Sequence, residues 1–137
     1  MNVRMALYKG LPMNGIGTEE SETLLDACRQ VYQQKGCGFL KSVYQECLDI
    51  EFQLRRIPCT VQPSLRLTYK GIPLKQGYEP DFICFDGIVI EIRSVPRILP
   101  AHRIPFTHSL KSSGYRLGLL MNFGHHLKLE YDMKYAG

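Results

Sequence analysis

No stretch of this 137-residue chain approaches the eighteen or so consecutive apolar residues of a membrane span, and its N-terminus lacks the pattern of a signal peptide. The expectation is a cytoplasmic protein with no membrane partner. Its five cysteines, Cys28, Cys37, Cys47, Cys59 and Cys84, show no Cys-x-x-Cys spacing and are odd in number, which argues against a disulfide framework or a zinc site. They read as free, mostly buried thiols. There is no internal repeat and no low-complexity segment. Between Ile92 and Leu129 there is also no Asp or Glu, while Arg93, Arg97, Arg103, Lys111, Arg116, Lys128 and all four histidines fall there. That segment carries +6 and the rest of the chain −2. Such a run is either a basic solvated face or a footprint for a phosphate backbone, DNA or RNA, with Arg97, Arg103, Lys111 and Arg116 as its contacts.

What is present organises into one domain. Residues 1–17 have glycine and proline but little periodicity and read as an N-terminal arm, leaving residues 18–137 as a single domain large enough for one core. Thr18 offers an N-cap, followed by acids in the first turn, and the helical spacing of Leu24, Leu25, Cys28, Val31 and Tyr32 predicts a helix to about Lys35. A second helix is predicted from about Phe39 to Arg56. One apolar row on it is Phe39, Val43, Cys47, Ile50 and Leu54; a second, beside it, is Leu40, Tyr44, Leu48 and Phe52. Alternation from Cys59 to Tyr69 predicts a strand that Pro63 places at an edge or bulge. A third helix spans about Ala101 to Ser113, with Pro105 delaying or kinking it. Tyr115 to Asn122 and Leu127 to Tyr131 predict the last two strands. The element order is ααβββαββ.

The centre is the stretch from Tyr78 to Arg93. Two apolar, β-prone runs flank Asp86-Gly87, a strong hairpin signal. Asp81, Glu91 and Arg93 are set into those runs, where a charge costs several kcal/mol unless paired, hydrated or metal-bound. A two-residue loop would put Asp81 and Glu91 on opposite faces. A three-residue loop, Phe85-Asp86-Gly87, closed by glycine in the left-handed conformation, would set them directly opposite, about 5 Å apart at Cβ. The second arrangement is the expectation.

Two carboxylates with a neighbouring cation suit phosphodiester hydrolysis. Asp81 and Glu91 supply hard oxygen ligands for Mg²⁺, the metal lowers the pKa of a water, and the cation stabilises charge on phosphorus. As a bare motif, the same residues read more readily as a structural ion cluster in which Arg93 pairs with Asp81 or Glu91. Elsewhere, His125-His126 read as exposed loop histidines, His102 and His108 as helix-surface residues, and Cys84 as core. Tyr44 reads either as core or as lining the site.

Further matches run through the chain: Gly38 to Glu46 in the second helix, Arg56-Ile57-Pro58, Tyr69-Lys70-Gly71, Tyr78-Glu79-Pro80-Asp81, Ile90-Glu91-Ile92-Arg93, and Tyr115 to Gly124. On these the chain resembles the bacterial GxxExxY protein family, a branch of the PD-(D/E)XK nuclease superfamily, over about Thr18 to Tyr131. The resemblance implies an α/β, restriction-endonuclease-like fold, a mixed β-sheet flanked by helices. It also implies that Asp81 and Glu91 hold the place of metal-binding residues. Arg93 stands where the motif has Lys, Lys41 where the family has a helical Glu, and Pro105 where a Gln-bearing motif is expected. Arg93 keeps the charge but is larger and cannot deprotonate. Lys41 reverses a charge. Asp81, Glu91, Arg93 and Lys41 sum to zero, so they can pair without a metal. Three functions follow: a nucleic-acid-associated nuclease-like protein with weak or lost hydrolysis, an active Mg²⁺-dependent nuclease in which Lys41 replaces the motif Lys, and a non-catalytic protein-interaction module.

Overall fold

The computed structural model describes residues 18–136. The proposed arm at residues 1–17 lies outside the described residues. Helices α1 (Thr18–Lys35) and α2 (Lys41–Leu54) open the domain. Five strands follow: β1 (Cys59–Val61), β2 (Leu65–Tyr69), β3 (Ile72–Tyr78), β4 (Phe82–Cys84) and β5 (Ile88–Arg93). Helix α3 (Pro100–Ser113) and strands β6 (Leu117–Asn122) and β7 (Glu130–Tyr135) complete it. The main sheet has the order β1-β4-β5-β6-β7, and β2 and β3 form a separate two-stranded sheet. Among the described residues only β5 and β6 run parallel; they are joined through α3, the crossover that a parallel pair requires.

The architecture is the expected mixed sheet flanked by helices, with two more strands than the expected order allowed. Pro63 does not merely bulge one long strand but ends β1, because it cannot donate to a ladder. Lys70 and Gly71 both take left-handed φ, 51° and 78°, and fold β2 back on β3, so Ile72–Tyr78, which the expected order did not count, is a full strand. Pro105 sits inside α3 without breaking it; Pro100 fills the first turn and Gly114, at φ 87°, caps the end. The last strand begins three residues later than expected because Leu127 is exposed and the paired run is Glu130–Tyr135.

The two faces of the sheet carry separate cores. Ile88, Ile90 and Ile92 of β5 pack with Leu24 and Cys28 of α1 and with Tyr44, Leu48 and Phe52 of α2. The second of the two apolar rows on α2 is therefore the buried one; Ile50 and Leu54 of the first are exposed. Val89, alternating to the other face, packs with Phe106 and Leu110 of α3, with Leu65 and Tyr78 of the β2–β3 hairpin against them. Glu91 and Arg93 follow Val89 on this second face. Two of the five free cysteines, Cys28 and Cys84, are buried, Cys47 and Cys59 are partly buried, and Cys37 is exposed. Burial pushes the Cys28 thiol up to about 12 and holds Cys84 well above the ordinary thiol value, which suits core residues.

Candidate active site

The register of β4 on β5 pairs Cys84 with Ile88 and Phe82 with Ile90, leaving Phe85-Asp86-Gly87 as a three-residue loop. Glycine does not supply the left-handed residue: Phe85 and Asp86 do, at φ 53° and 57°. The Gly87 N–H donates to the Cys84 carbonyl at 3.1 Å, a turn with positive φ at both central positions, and the Phe85 N–H donates to Pro58 O at 2.8 Å. One residue beyond β4 the ladder continues. Asp81 N–H donates to Ile90 O at 3.1 Å, and Asp81 O accepts from Gln62 N–H at 2.8 Å. Asp81 is thus fixed on both sides, but the paired register ends at Phe82–Ile90 and the Asp81 N–H goes to Ile90 rather than to Glu91, so the direct opposition expected of Asp81 and Glu91 is replaced by an irregular end of the ladder.

The site residues then pair in an order not foreseen from sequence. Asp81 is buried, and its Oδ2 accepts from the Ile92 N–H at 2.7 Å and faces the Lys41 ammonium at 3.2 Å. Lys41 stands in the first turn of α2, the end where the helix dipole disfavours a cation, and no side chain caps that end. Asp81 offsets this. The chain reaches Lys41 through a loop fastened from two sides. Tyr44 donates its hydroxyl to Gly36 O at 2.5 Å, accepts from Phe39 N–H at 3.3 Å and stacks on Phe123, while Ser94 donates to Phe39 O at 2.6 Å. Tyr44 is therefore a core residue that positions the site from behind.

Glu91 accepts a hydrogen bond from Tyr78, at 2.6 Å from Oη to Oε2. Burial, and then the neighbouring Glu91 carboxylate, push the Tyr78 phenol far above the ordinary tyrosine value; Asp81 adds to this and Arg93 opposes it. Tyr78 remains protonated and occupies the Glu91 oxygen. Sequence reasoning missed this contact, although Tyr78 closes β3 opposite Leu65 and the alternation of that strand points it inward. Arg93 pairs with neither carboxylate, contrary to the ion-cluster reading. Its Nε is buried and, among the described residues, has no hydrogen-bond acceptor.

The basic segment is less uniform in space than in sequence. Arg97 and Lys111 are exposed. Arg103 is half-buried in an ion pair with Asp132 of β7, 2.5 Å away, and Arg116 faces the Tyr135 hydroxyl at 3.3 Å. His102 turns its Nδ1 back onto the Leu99 N–H at 2.9 Å, so it caps α3. The rings of His125 and His126 stack on each other, and among the described residues no group of three His, Cys, Asp or Glu is placed to hold a metal ion.

A mixed sheet with flanking helices, bearing Asp and Glu on adjacent strands, defines a nuclease-like α/β domain. A family model described as PD-(D/E)XK nuclease superfamily matches residues 18–134, and the chain belongs to that superfamily. No curated protein matches the chain. Members of the superfamily commonly use Mg²⁺ or another divalent metal. The donor set fits such an ion poorly: Asp81 Oδ2 faces an ammonium, Glu91 Oε2 is taken by a phenol, and among the described residues no third carboxylate joins them. Among the described residues no helix is long and apolar enough to cross a membrane.

Proposed function

We propose that this chain is a GxxExxY-type member of the superfamily that associates with nucleic acid and hydrolyses it weakly or not at all. The observation that carries the reading is the Lys41 ammonium 3.2 Å from Asp81 Oδ2, where a carboxylate in a hydrolytic relative would add charge for a metal. With Tyr78 on Glu91, one oxygen of each carboxylate is engaged by the protein's own groups. Arg93, partly exposed on the site's face and paired with neither carboxylate, is left as a cation that suits a phosphate. The site thus supports binding an anion more than activating a water. The contacts proposed for the phosphate backbone are Arg93 at the site and the exposed Arg97 and Lys111.

The same 3.2 Å contact favours a second reading. Lys41 lies where a catalytic ammonium can serve a metal held by Asp81 and Glu91, taking over the work of the motif Lys from another element.

Mg²⁺ and Mn²⁺ titration calorimetry, together with cleavage of single- and double-stranded DNA and RNA, separates the readings. The wild type is expected to bind oligonucleotides at low salt without cleaving them, and Lys41→Glu to gain metal binding. Wild-type cleavage that Asp81→Ala abolishes would establish the hydrolytic reading instead. Failure to bind any nucleic acid at low salt would favour a protein-interaction module.

A further inference from the structure

The β2–β3 hairpin stands apart from the main sheet, and its composition is one-sided. From Gln62 to Tyr78 there is no Asp or Glu, while Arg66, Lys70 and Lys75 are all present. Every residue of β3 except Tyr78 is exposed. A solvated two-stranded ribbon of this kind is marginal alone, and here its inner face is anchored by Leu65 and Tyr78 against the second core. The outer face has no such structural duty.

The register sets Arg66 directly opposite Gly77 and then shifts between Arg66 and Thr68, and in this irregular stretch Lys75 lines the same depression as Arg66 and Gly77. Because residue 77 has no side chain, the space between the two cations stays open. A Cβ there would come within 3.0 Å of Leu65 O. The result is a polar depression of about 340 Å³ lined by Ser64, Leu65, Arg66, Lys75 and Gly77. Arg66 is held over it by a hydrogen bond from Nη1 to Leu74 O at 3.1 Å, across the ribbon, which orients the guanidinium and lowers the entropy cost of using it. Towards the tip, Tyr69 and Ile72 pair and are 63 % and 66 % exposed, and Lys70 lies over the Tyr69 ring at 5.4 Å. An oriented guanidinium, an ammonium, a hydroxyl and an open backbone glycine make a receptor for a phosphate, and the exposed aromatic further along the ribbon offers a base a face to stack on.

We propose that the outer face of the β2–β3 hairpin binds the sugar-phosphate backbone of a nucleic acid, with one phosphate between Arg66 and Lys75 and the strand continuing past Lys70 and Tyr69. The proposal rests on the nucleic-acid reading above and gives it a surface that lies outside the acid-free 92–129 segment. The root of the hairpin is Tyr78, the residue bonded to Glu91, so the ribbon and the candidate site share an element.

Anisotropy titrations with a labelled duplex DNA and a labelled single-stranded RNA, from 50 to 200 mM salt, test it. The proteins compared are the wild type, Arg66→Ala/Lys75→Ala and Arg97→Ala/Lys111→Ala, with folding checked by circular dichroism. The hairpin variant is expected to bind at least about tenfold more weakly at 50 mM salt, with the slope of log affinity against log salt on duplex shallower by about 0.9, the loss of one phosphate contact. The arm with the larger loss identifies the preferred nucleic acid. If the hairpin variant keeps wild-type affinity and slope while Arg97→Ala/Lys111→Ala loses both, the hairpin proposal fails and the nucleic-acid reading stands. A folded wild type that binds neither ligand at 50 mM salt overturns both.

Discussion

Arg93 and Asn122 are neighbours across the parallel β5–β6 pair, one rung of one ladder, yet their polar groups end in opposite ways. Asn122 is buried and satisfied throughout. Its Oδ1 accepts from Val95 N–H and Gly124 N–H, both at 3.0 Å, and its Nδ2 donates to Val95 O at 2.9 Å and to Glu130 Oε1 at 3.0 Å. Arg93 keeps a buried Nε with no acceptor among the described residues. Unpaired buried donors are rare because each costs about 1–3 kcal/mol, so such a cost persists where something other than stability is served. The contrast separates a polar group that closes a loop from one that, on the function proposed here, is kept for a ligand.

The sharpest way to break the contrast is on the satisfied side. Asn122→Ala strips partners from the Val95 and Gly124 N–H groups and the Val95 carbonyl at once, and is expected to cost about 3 kcal/mol in urea unfolding. A loss below about 1 kcal/mol would show that the amide is not structural. Gly124→Ala belongs to the same region, since a Cβ there would lie 2.3 Å from Val95 O and 2.4 Å from Val95 N. Urea unfolding of this variant should show a loss of similar size.

On the unsatisfied side the sign reverses. Arg93→Met keeps an unbranched apolar stem and removes the orphan donor, so stability is expected to hold or rise by about 1 kcal/mol while oligonucleotide affinity falls about tenfold. A clear loss of stability would mean that Arg93 is structural like its neighbour. Lys41→Ala is a smaller change: the lysine side chain is 46 % exposed and Asp81 keeps the Ile92 N–H, so about 1 kcal/mol or less is expected in the same unfolding assay.

The smallest effect concerns pH. Burial acts to raise Glu130, but the Asn122 hydrogen bond and then the Ile98 N–H outweigh it, and the folded-state pKa lies below the ordinary 4.5. A depressed carboxyl contributes stability that is complete above its unfolded pKa and disappears as pH falls through the folded one. Glu130→Gln should therefore narrow the difference in stability between pH 7 and pH 3. An unchanged difference would show that Glu130 does not titrate in support of Asn122.

What was legible in the sequence follows from which features are local. The first helix, the three-residue loop and the pairing of Lys41 with Asp81 were readable because helical apolar spacing, turn residues and charge opposition act over short spans or carry large penalties. The superfamily was readable through ordered motifs. The split at Pro63 and the length of β3 were not, because Ile72 to Gln76 is exposed and lacks an apolar rhythm to follow. The Tyr78 contact to Glu91 was missed because it depends on how the small sheet docks on the large one. Arg93 looked destined for a carboxylate from spacing alone, but both carboxylates were claimed by partners from distant elements.

The turn at Phe85-Asp86 carries a consequence for how the site is specified. Two consecutive left-handed residues without glycine cost roughly 1–2 kcal/mol each, and the Pro58 carbonyl helps hold them. Side-chain direction along a strand is binary, so shortening this loop by one residue would turn Glu91 away from Asp81 and leave every apolar contact on β5 facing the wrong way. The hairpin loop therefore acts as an address written at one end of the ladder and read at the other, and the chemistry at Asp81 and Glu91 is inherited from the handedness of residues that never touch it.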